Sequence, residues 1–273
     1  MPKQRTGCTL EPRGTSGHFP EVHLDPLHIG IVACSAEGAA LCFRTICTEG
    51  PALLGPHGHP EVSLHAHSLA DYVRCLDRDD WAGVGELMLA SAVKLAASGA
   101  AFLICPDNTI HRALPAIEAH SPLPWLHIAE VVAEEAARRR FRRIGILGTR
   151  WLTDSDVYPA KLKERGLEFA RPAASDRDAI SRIVMEELVA GVFKPEGVEF
   201  HRAVIGRLKD AGCDAVVLGC TEIPLIISDA NSVLPTLDST RLLARAALAR
   251  AISGCARATP ERRTTPPIAS LLE

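Results

Sequence analysis

Apolar residues in this chain fall into two patterns. In the first they form short, nearly unbroken runs, at residues 27–33, 101–105, 143–147 and 215–218, each closing on glycine, proline or a small polar cluster. Runs of strand length without alternation read as strands buried on both faces. Residues 61–68 and 234–237 supply two further strand candidates. In the second pattern, apolar positions recur every three or four residues. Val84, Leu87, Met88, Ser91 and Leu95 keep that spacing and predict a helix over 80–98. A helical pattern also follows Gly38 through Leu41 and Ile46, another reads through Ile117, and others cover 131–140, 158–165, 178–189, 199–211 and 240–252. The arginines that close the 131–140 stretch suit the negative end of a helix dipole. Strands alternating with helices make an α/β protein with largely parallel sheets.

Two of the strand stretches resemble each other. Laying Gly99 on Gly212 sets Asp107 opposite Cys220 and Thr109 opposite Glu222. The match resumes where Leu123-Pro124-Trp125-Leu126-His127 lies against Leu234-Pro235-Thr236-Leu237-Asp238. This internal duplication predicts two similar α/β lobes. Each delivers a polar residue from the carboxyl end of a strand, where open parallel sheets place their ligands. The register leaves Cys105 as an alternative to Asp107, because a strand end slips easily by a residue or two.

Composition narrows the function classes. The 273 residues are 47% hydrophobic and carry a formal net charge of -3, enough for a sizeable core and without the basic footprint of a nucleic-acid partner. No apolar run is long enough to cross a bilayer, and residues 1–25 lack the apolar segment of a secretory signal. The nine cysteines are odd in number, scattered and without a Cys-x-x-Cys pair, which favours reduced thiols and a cytoplasmic location over disulfides or structural zinc. Cys34, Cys42 and Cys47 fall in or beside apolar stretches and read as packing. His57, His59, His65 and His67 lack a carboxylate or cysteine at ligand spacing, so they read as solvated and no metal is implied. No glycine-rich phosphate loop is present, and no nucleotide or pyridoxal cofactor is indicated. Residues 1–26 and 254–273 read as a flexible extension and a flexible tail.

Several stretches carry a family resemblance. Gly219-Cys220-Thr221-Glu222-Ile223-Pro224 resembles the second catalytic motif of the aspartate/glutamate racemase superfamily, the cofactor-independent amino-acid racemases. Asn108-Thr109-Ile110-His111 is similar to their first motif, Gly148-Thr149-Arg150 with Tyr158 to their central strand and turn, and residues 29–35 to their opening strand. The resemblance implies two pseudo-symmetric three-layer lobes with the active site in the cleft between them. It puts residues 27–125 and 226–253 in the first lobe and 126–225 in the second, and it implies a homodimer. Family racemases usually place cysteine, and some relatives threonine, immediately before the Asn-Thr; this chain has Asp107 there.

Racemisation requires one group to remove the α-proton and another to return it on the opposite face. Cys220 and Asp107 are the expected pair. A carboxylate is a weaker base than a thiolate by roughly 4 to 5 pKa units, or ~6 kcal/mol of driving force, and burial narrows that gap. Ser35, Asn108, Thr109, Thr149 and Thr221 are candidates to hold the α-carboxylate and its developing charge. Ser35 and Thr149 are equally placed to cap helices. Glu222 either orients the substrate ammonium or pairs within its loop. His111 fixes its loop, and His127 and Asp238 support the site from behind. Arg44, His59 and Arg150 are candidates to read a distal carboxylate, with surface ion pairs as the alternative. The expected function is therefore a racemase of an acidic amino acid such as aspartate or glutamate. The alternatives are a single-cysteine decarboxylase or isomerase of a related dicarboxylate, and a noncatalytic small-molecule binder.

Overall fold

The computed structural model describes residues 25–255. The flexible extension and tail expected at 1–26 and 254–273 otherwise fall outside the described residues. β1 (Ile29–Ala33), β2 (Val62–Ala66), β3 (Phe102–Ile104) and β4 (Trp125–Leu126) form one sheet in the order β2-β1-β3-β4. β5 (Arg143–Leu147), β6 (Glu168–Ala170), β7 (Ala215–Leu218) and β8 (Thr236–Asp238) form the other in the order β6-β5-β7-β8. Every strand pair is parallel. Leu103 pairs with Trp125, and Val216 with Thr236, so the duplication read from the sequence is also a duplication of register.

The first lobe carries α1 (Ala36–Glu49), α2 (Pro51–Leu54), α3 (Leu69–Asp77), α4 (Trp81–Ala97) and α5 (Leu114–Ile117). The second carries α6 (Ile128–Arg138), α7 (Arg150–Thr153), α8 (Val157–Glu164), α9 (Ala174–Glu186) and α10 (Pro195–Asp210), and α11 (Ser239–Cys255) follows. Because side chains of a strand alternate between faces, β1 and β3 send Val32 and Leu103 onto Val84, Met88 and Leu95 of α4. Their other face sends Ile29, Ile31 and Ile104 onto Ile46 of α1 and onto Leu243, Ala244 and Ala247 of α11. In the second lobe, Ile144, Ile146 and Val217 meet Val132 of α6 and Leu162 of α8, while Leu147, Val216 and Leu218 meet α9 and α10. Each fully buried Leu, Ile or Val contributes about 1.5–3 kcal/mol of burial free energy.

Two expectations change here. β8 pairs with β7, so residues 236–238 belong to the second sheet; the chain rejoins the first lobe through α11, not directly after residue 225. The reason is local: β8 satisfies backbone groups on an edge of β7 that the core would otherwise bury unpaired. α11 also runs to Cys255, beyond the expected start of the tail. Moreover, α3 and β6 occupy stretches for which the sequence pattern predicts no element.

Candidate active site

Ile31 stands beside Ile104 in the first sheet, and Ile146 beside Val217 in the second. Three residues further along, these strands deliver Cys34 beside Asp107 and Thr149 beside Cys220. All four line one cavity between the lobes, together with Ser35, Thr109 and Glu222. Its apolar wall comes from Leu69, Val73 and Leu76 of α3, Trp151 of α7, Val184 and Met185 of α9, and Val189. The cavity measures about 60 Å3, far below the roughly 300–1,000 Å3 of ligand clefts, so the described conformation holds a narrow cleft.

Polar contacts fasten the lobes around this space. Ser35 Oγ lies 3.2 Å from Thr221 Oγ1, and Thr109 Oγ1 lies 3.3 Å from Thr149 Oγ1. The Tyr158 hydroxyl donates to Asn108 Oδ1 at 2.6 Å, and Asn108 Nδ2 donates to Ser239 Oγ at 3.0 Å. The approach is close enough that a Cβ on Gly38 would stand 2.6 Å from both the Pro106 carbonyl oxygen and Thr221 Cγ2. Glycine is required there for proximity.

The Cys220 thiol donates to Glu222 Oε2 at 2.9 Å, and the Thr221 hydroxyl donates to the same oxygen at 2.8 Å. Burial first, and the Glu222 carboxylate next, push the Cys220 thiol well above its ordinary range, so it rests protonated. Asp107 Oδ1 accepts the Ile110 N–H at 3.1 Å. Burial raises the Asp107 carboxyl against the lowering effect of that bond; the Glu222 charge raises it further, and a hydrogen bond from the Cys34 thiol opposes the rise.

The expected site residues thus divide. Ser35, Asp107, Thr109, Thr149, Cys220 and Glu222 line the cavity, whereas Asn108 and Thr221 lie behind it, committed to the contacts above. Ser35 also caps α1 by accepting the Gly38 N–H at 3.3 Å. Thr149 precedes α7 at its N-cap position, without a capping bond from its side chain. Cys105 is fully buried in the core against α4, its thiol 3.9 Å from the Asp107 carbonyl oxygen, and does not line the cavity. His111 does hold its loop: Nε2 accepts the Ile128 N–H at 3.3 Å, which leaves Nδ1–H to donate to the Asp107 carbonyl at 2.6 Å. Burial pushes its pKa down to about 4. His127 caps α6 through the Ala129 N–H, and Asp238 accepts the Arg241 N–H; neither lines the cavity.

Arg44, His59 and Arg150 are exposed and stay outside the cavity, with Arg150 stacked over Trp151. His65 is bonded to Ser91 and Lys94. The residue that sequence reasoning missed is Cys34. It is buried, as packing would have it, but it also lines the cavity beside Asp107. The signal available was its place at the end of the opening strand, next to Ser35. Among the described residues no helix is long and apolar enough to cross a membrane.

Duplicated parallel lobes thus bring thiols and carboxyls together in one narrow cleft. The chain belongs to the Asp/Glu/Hydantoin racemase family, whose profile matches residues 31–247. It is 25% identical over 191 residues to the broad specificity amino-acid racemase RacX of Bacillus subtilis (strain 168), covering 68% of this chain and 80% of that protein. A Yersinia pestis protein provisionally named an Asp/Glu racemase superposes with a TM-score of 0.76 at 30% identity, over 82% of this chain and 99% of its own. An aspartate racemase homologue from Pyrococcus horikoshii OT3 gives 0.71 at 25% identity, over 82% and 98%. Members named for their activity are racemases, and racemases are isomerases; the decarboxylase alternative finds no support among them.

Proposed function

We propose that this isomerase is a cofactor-independent amino-acid racemase that moves the α-proton between opposite faces of its substrate. Cys220 serves the face toward the second lobe, and the Asp107 strand end serves the face toward the first. The observation that carries this reading is the convergence of the two duplicated strand ends on one narrow cavity. The hydroxyls of Ser35, Thr109 and Thr149, with the neighbouring backbone N–H groups, are suited to the α-carboxylate. Glu222 is suited to the ammonium.

The substrate side chain in this reading is uncharged. Aspartate or glutamate, the expectation from the resemblance, brings a second carboxylate, and no Lys or Arg occurs among the described lining residues to receive it. Two carboxyls already share the cavity, while α3, Trp151 and α9 offer an apolar wall. Burying a further anion there without a partner costs several kcal/mol. The test is chiral chromatography after incubating single enantiomers of aliphatic, aromatic and acidic amino acids with the enzyme and no added cofactor. Interconversion of neutral amino acids, faster than of aspartate or glutamate, is the expected result. Faster turnover of the acidic pair would overturn the side-chain assignment, and interconversion of none would overturn the racemase reading.

A further inference from the structure

We propose that Cys34 is the first-lobe residue that exchanges a proton with the substrate α-carbon, and that Asp107 acts by holding and accepting the Cys34 thiol proton. The inference rests on the racemase reading above and changes which atom of the first lobe touches the substrate.

The argument starts from register. Ile31 is level with Ile104, so the end of β1 brings Cys34 level with Asp107, and both line the cavity. In the second lobe Ile146 is level with Val217, which brings Thr149 level with Cys220. Matching Ile104 to Val217 through the duplication makes Cys34 the counterpart of Thr149, and Asp107 the counterpart of Cys220. Each lobe therefore offers the cavity one thiol, but from different strands: the central β1 in the first lobe, and β7 in the second.

The environments of the two thiols also match. Cys220 donates to the Glu222 carboxylate at 2.9 Å. Cys34 stands level with Asp107 on the adjacent strand end and lines the same cavity; burial first, and the Asp107 charge next, raise its thiol pKa. Asp107 is itself fixed by the Ile110 N–H, with its peptide carbonyl held by His111. Of the described cysteines only Cys34 and Cys220 line the cavity; Cys105 lies in the core. Cys34 and Ser35 also border an adjoining open groove of about 470 Å3, so the thiol stands at a boundary rather than deep in packing.

The pairing closes the proton inventory. The ionised Asp107 carboxylate takes the Cys34 proton as the S–H bond breaks. The resulting thiolate pair takes the α-proton, and the Cα–H electrons pass into the enolate of the substrate carboxylate. Cys220 then gives its S–H proton to the opposite face, forming the new Cα–H bond, and the thiolate left behind regains a proton from solvent. Both thiols are restored, and Asp107 returns the proton it took to solvent. The reverse reaction starts from that state. A thiol against the carbon also supplies the stronger base that a lone carboxylate lacks.

The experiment is α-proton exchange in D2O, followed by NMR separately for each enantiomer of a turned-over amino acid, in the wild type, Cys34→Ser, Cys34→Ala and Cys220→Ser. Cys34→Ser should slow exchange of one enantiomer by about 100-fold or more and leave the mirror enantiomer near its wild-type rate. Cys220→Ser should do the opposite. Cys34→Ala carries the same test if serine impairs folding. Exchange of both enantiomers at wild-type rates in the Cys34 variants would overturn the proposal and leave Asp107 as the direct base, with the racemase reading intact. Equal loss for both enantiomers would overturn it in favour of a structural role. Absence of exchange in the wild type across the panel would overturn the racemase reading, and Cys34's role with it.

Discussion

The two lobes have the same strand order and the same pairing register, yet they present different chemistry at equivalent points. The first ends its central strands in Cys34 and Asp107; the second ends them in Thr149 and Cys220. Beyond those ends the loops diverge again. His111 pins the first loop between the Asp107 carbonyl and the Ile128 N–H, while the equivalent point of the second loop is Pro224, at the start of a short turn. The backbone scaffold is thus symmetric and the acid–base inventory is not. A duplicated fold thus fixes where the strand-end side chains stand, and leaves open which strand supplies a thiol and which a carboxyl. A substrate carbon is asymmetric to begin with, so its two faces need not meet identical groups.

The largest effect expected from breaking this arrangement is at Cys220. Cys220→Ser should lower interconversion in both directions by about 100-fold or more, because a hydroxyl is far too weak an acid to replace the thiol. The thermal midpoint should stay close to that of the wild type. Turnover near the parent rate would remove the second lobe from the chemistry.

The next effect separates the loops by pH. His111 is neutral in the folded chain, its pKa pushed down to about 4, against about 6.5 when unfolded. Below pH ~6.5 the unfolded chain gains a proton that the folded one refuses, so stability is complete above that pH and falls toward pH ~4, by on the order of 3 kcal/mol. His127, pushed down to about 2, acts in the same direction. Urea midpoints should drop between pH 7 and pH 4.5, and His111→Gln should flatten that drop. An unchanged slope in His111→Gln would show that the first loop is not pinned as described.

Smaller effects test how the lobes are joined. Tyr158→Phe removes the donor to Asn108 Oδ1 and leaves a buried acceptor unpaired, at a cost of about 1–3 kcal/mol in urea unfolding. The pair Arg245–Glu49, which ties α11 to α1 at the surface, should matter least. Arg245→Gln should cost no more than ~1 kcal/mol, and less still at high salt. A larger loss at Arg245 than at Tyr158 would reverse the ranking of buried over exposed contacts.

The sequence showed the strand ends more clearly than the walls around them. The duplication was legible because unbroken apolar runs mark buried parallel strands, and glycine with small polar residues marks their ends. That reading found Asp107, Cys220 and Glu222. β6 was not legible because it is a three-residue strand with partly exposed side chains and no apolar run. α3 escaped because its only fully buried side chain is Tyr72, although its Leu69, Val73 and Leu76 wall the cavity. The side-chain reader expected among Arg44, His59 and Arg150 was misplaced for a related reason: charge in a sequence does not tell which way a side chain faces. Cys34 was hidden by its apolar neighbours, since a thiol ending a core strand looks like packing until the adjacent strand supplies a carboxylate.

The central claim is that the two lobes work on opposite faces of one carbon. It is tested most directly by starting the wild-type enzyme on a single enantiomer of a neutral amino acid in D2O and analysing both enantiomers early in the reaction. The account predicts that the product enantiomer carries solvent deuterium at the α-carbon while the remaining substrate still carries protium, because one lobe removes and the other returns the proton. Product that retains the original protium, or substrate that gains deuterium as fast as product forms, would mean that one group serves both faces, and would contradict the account.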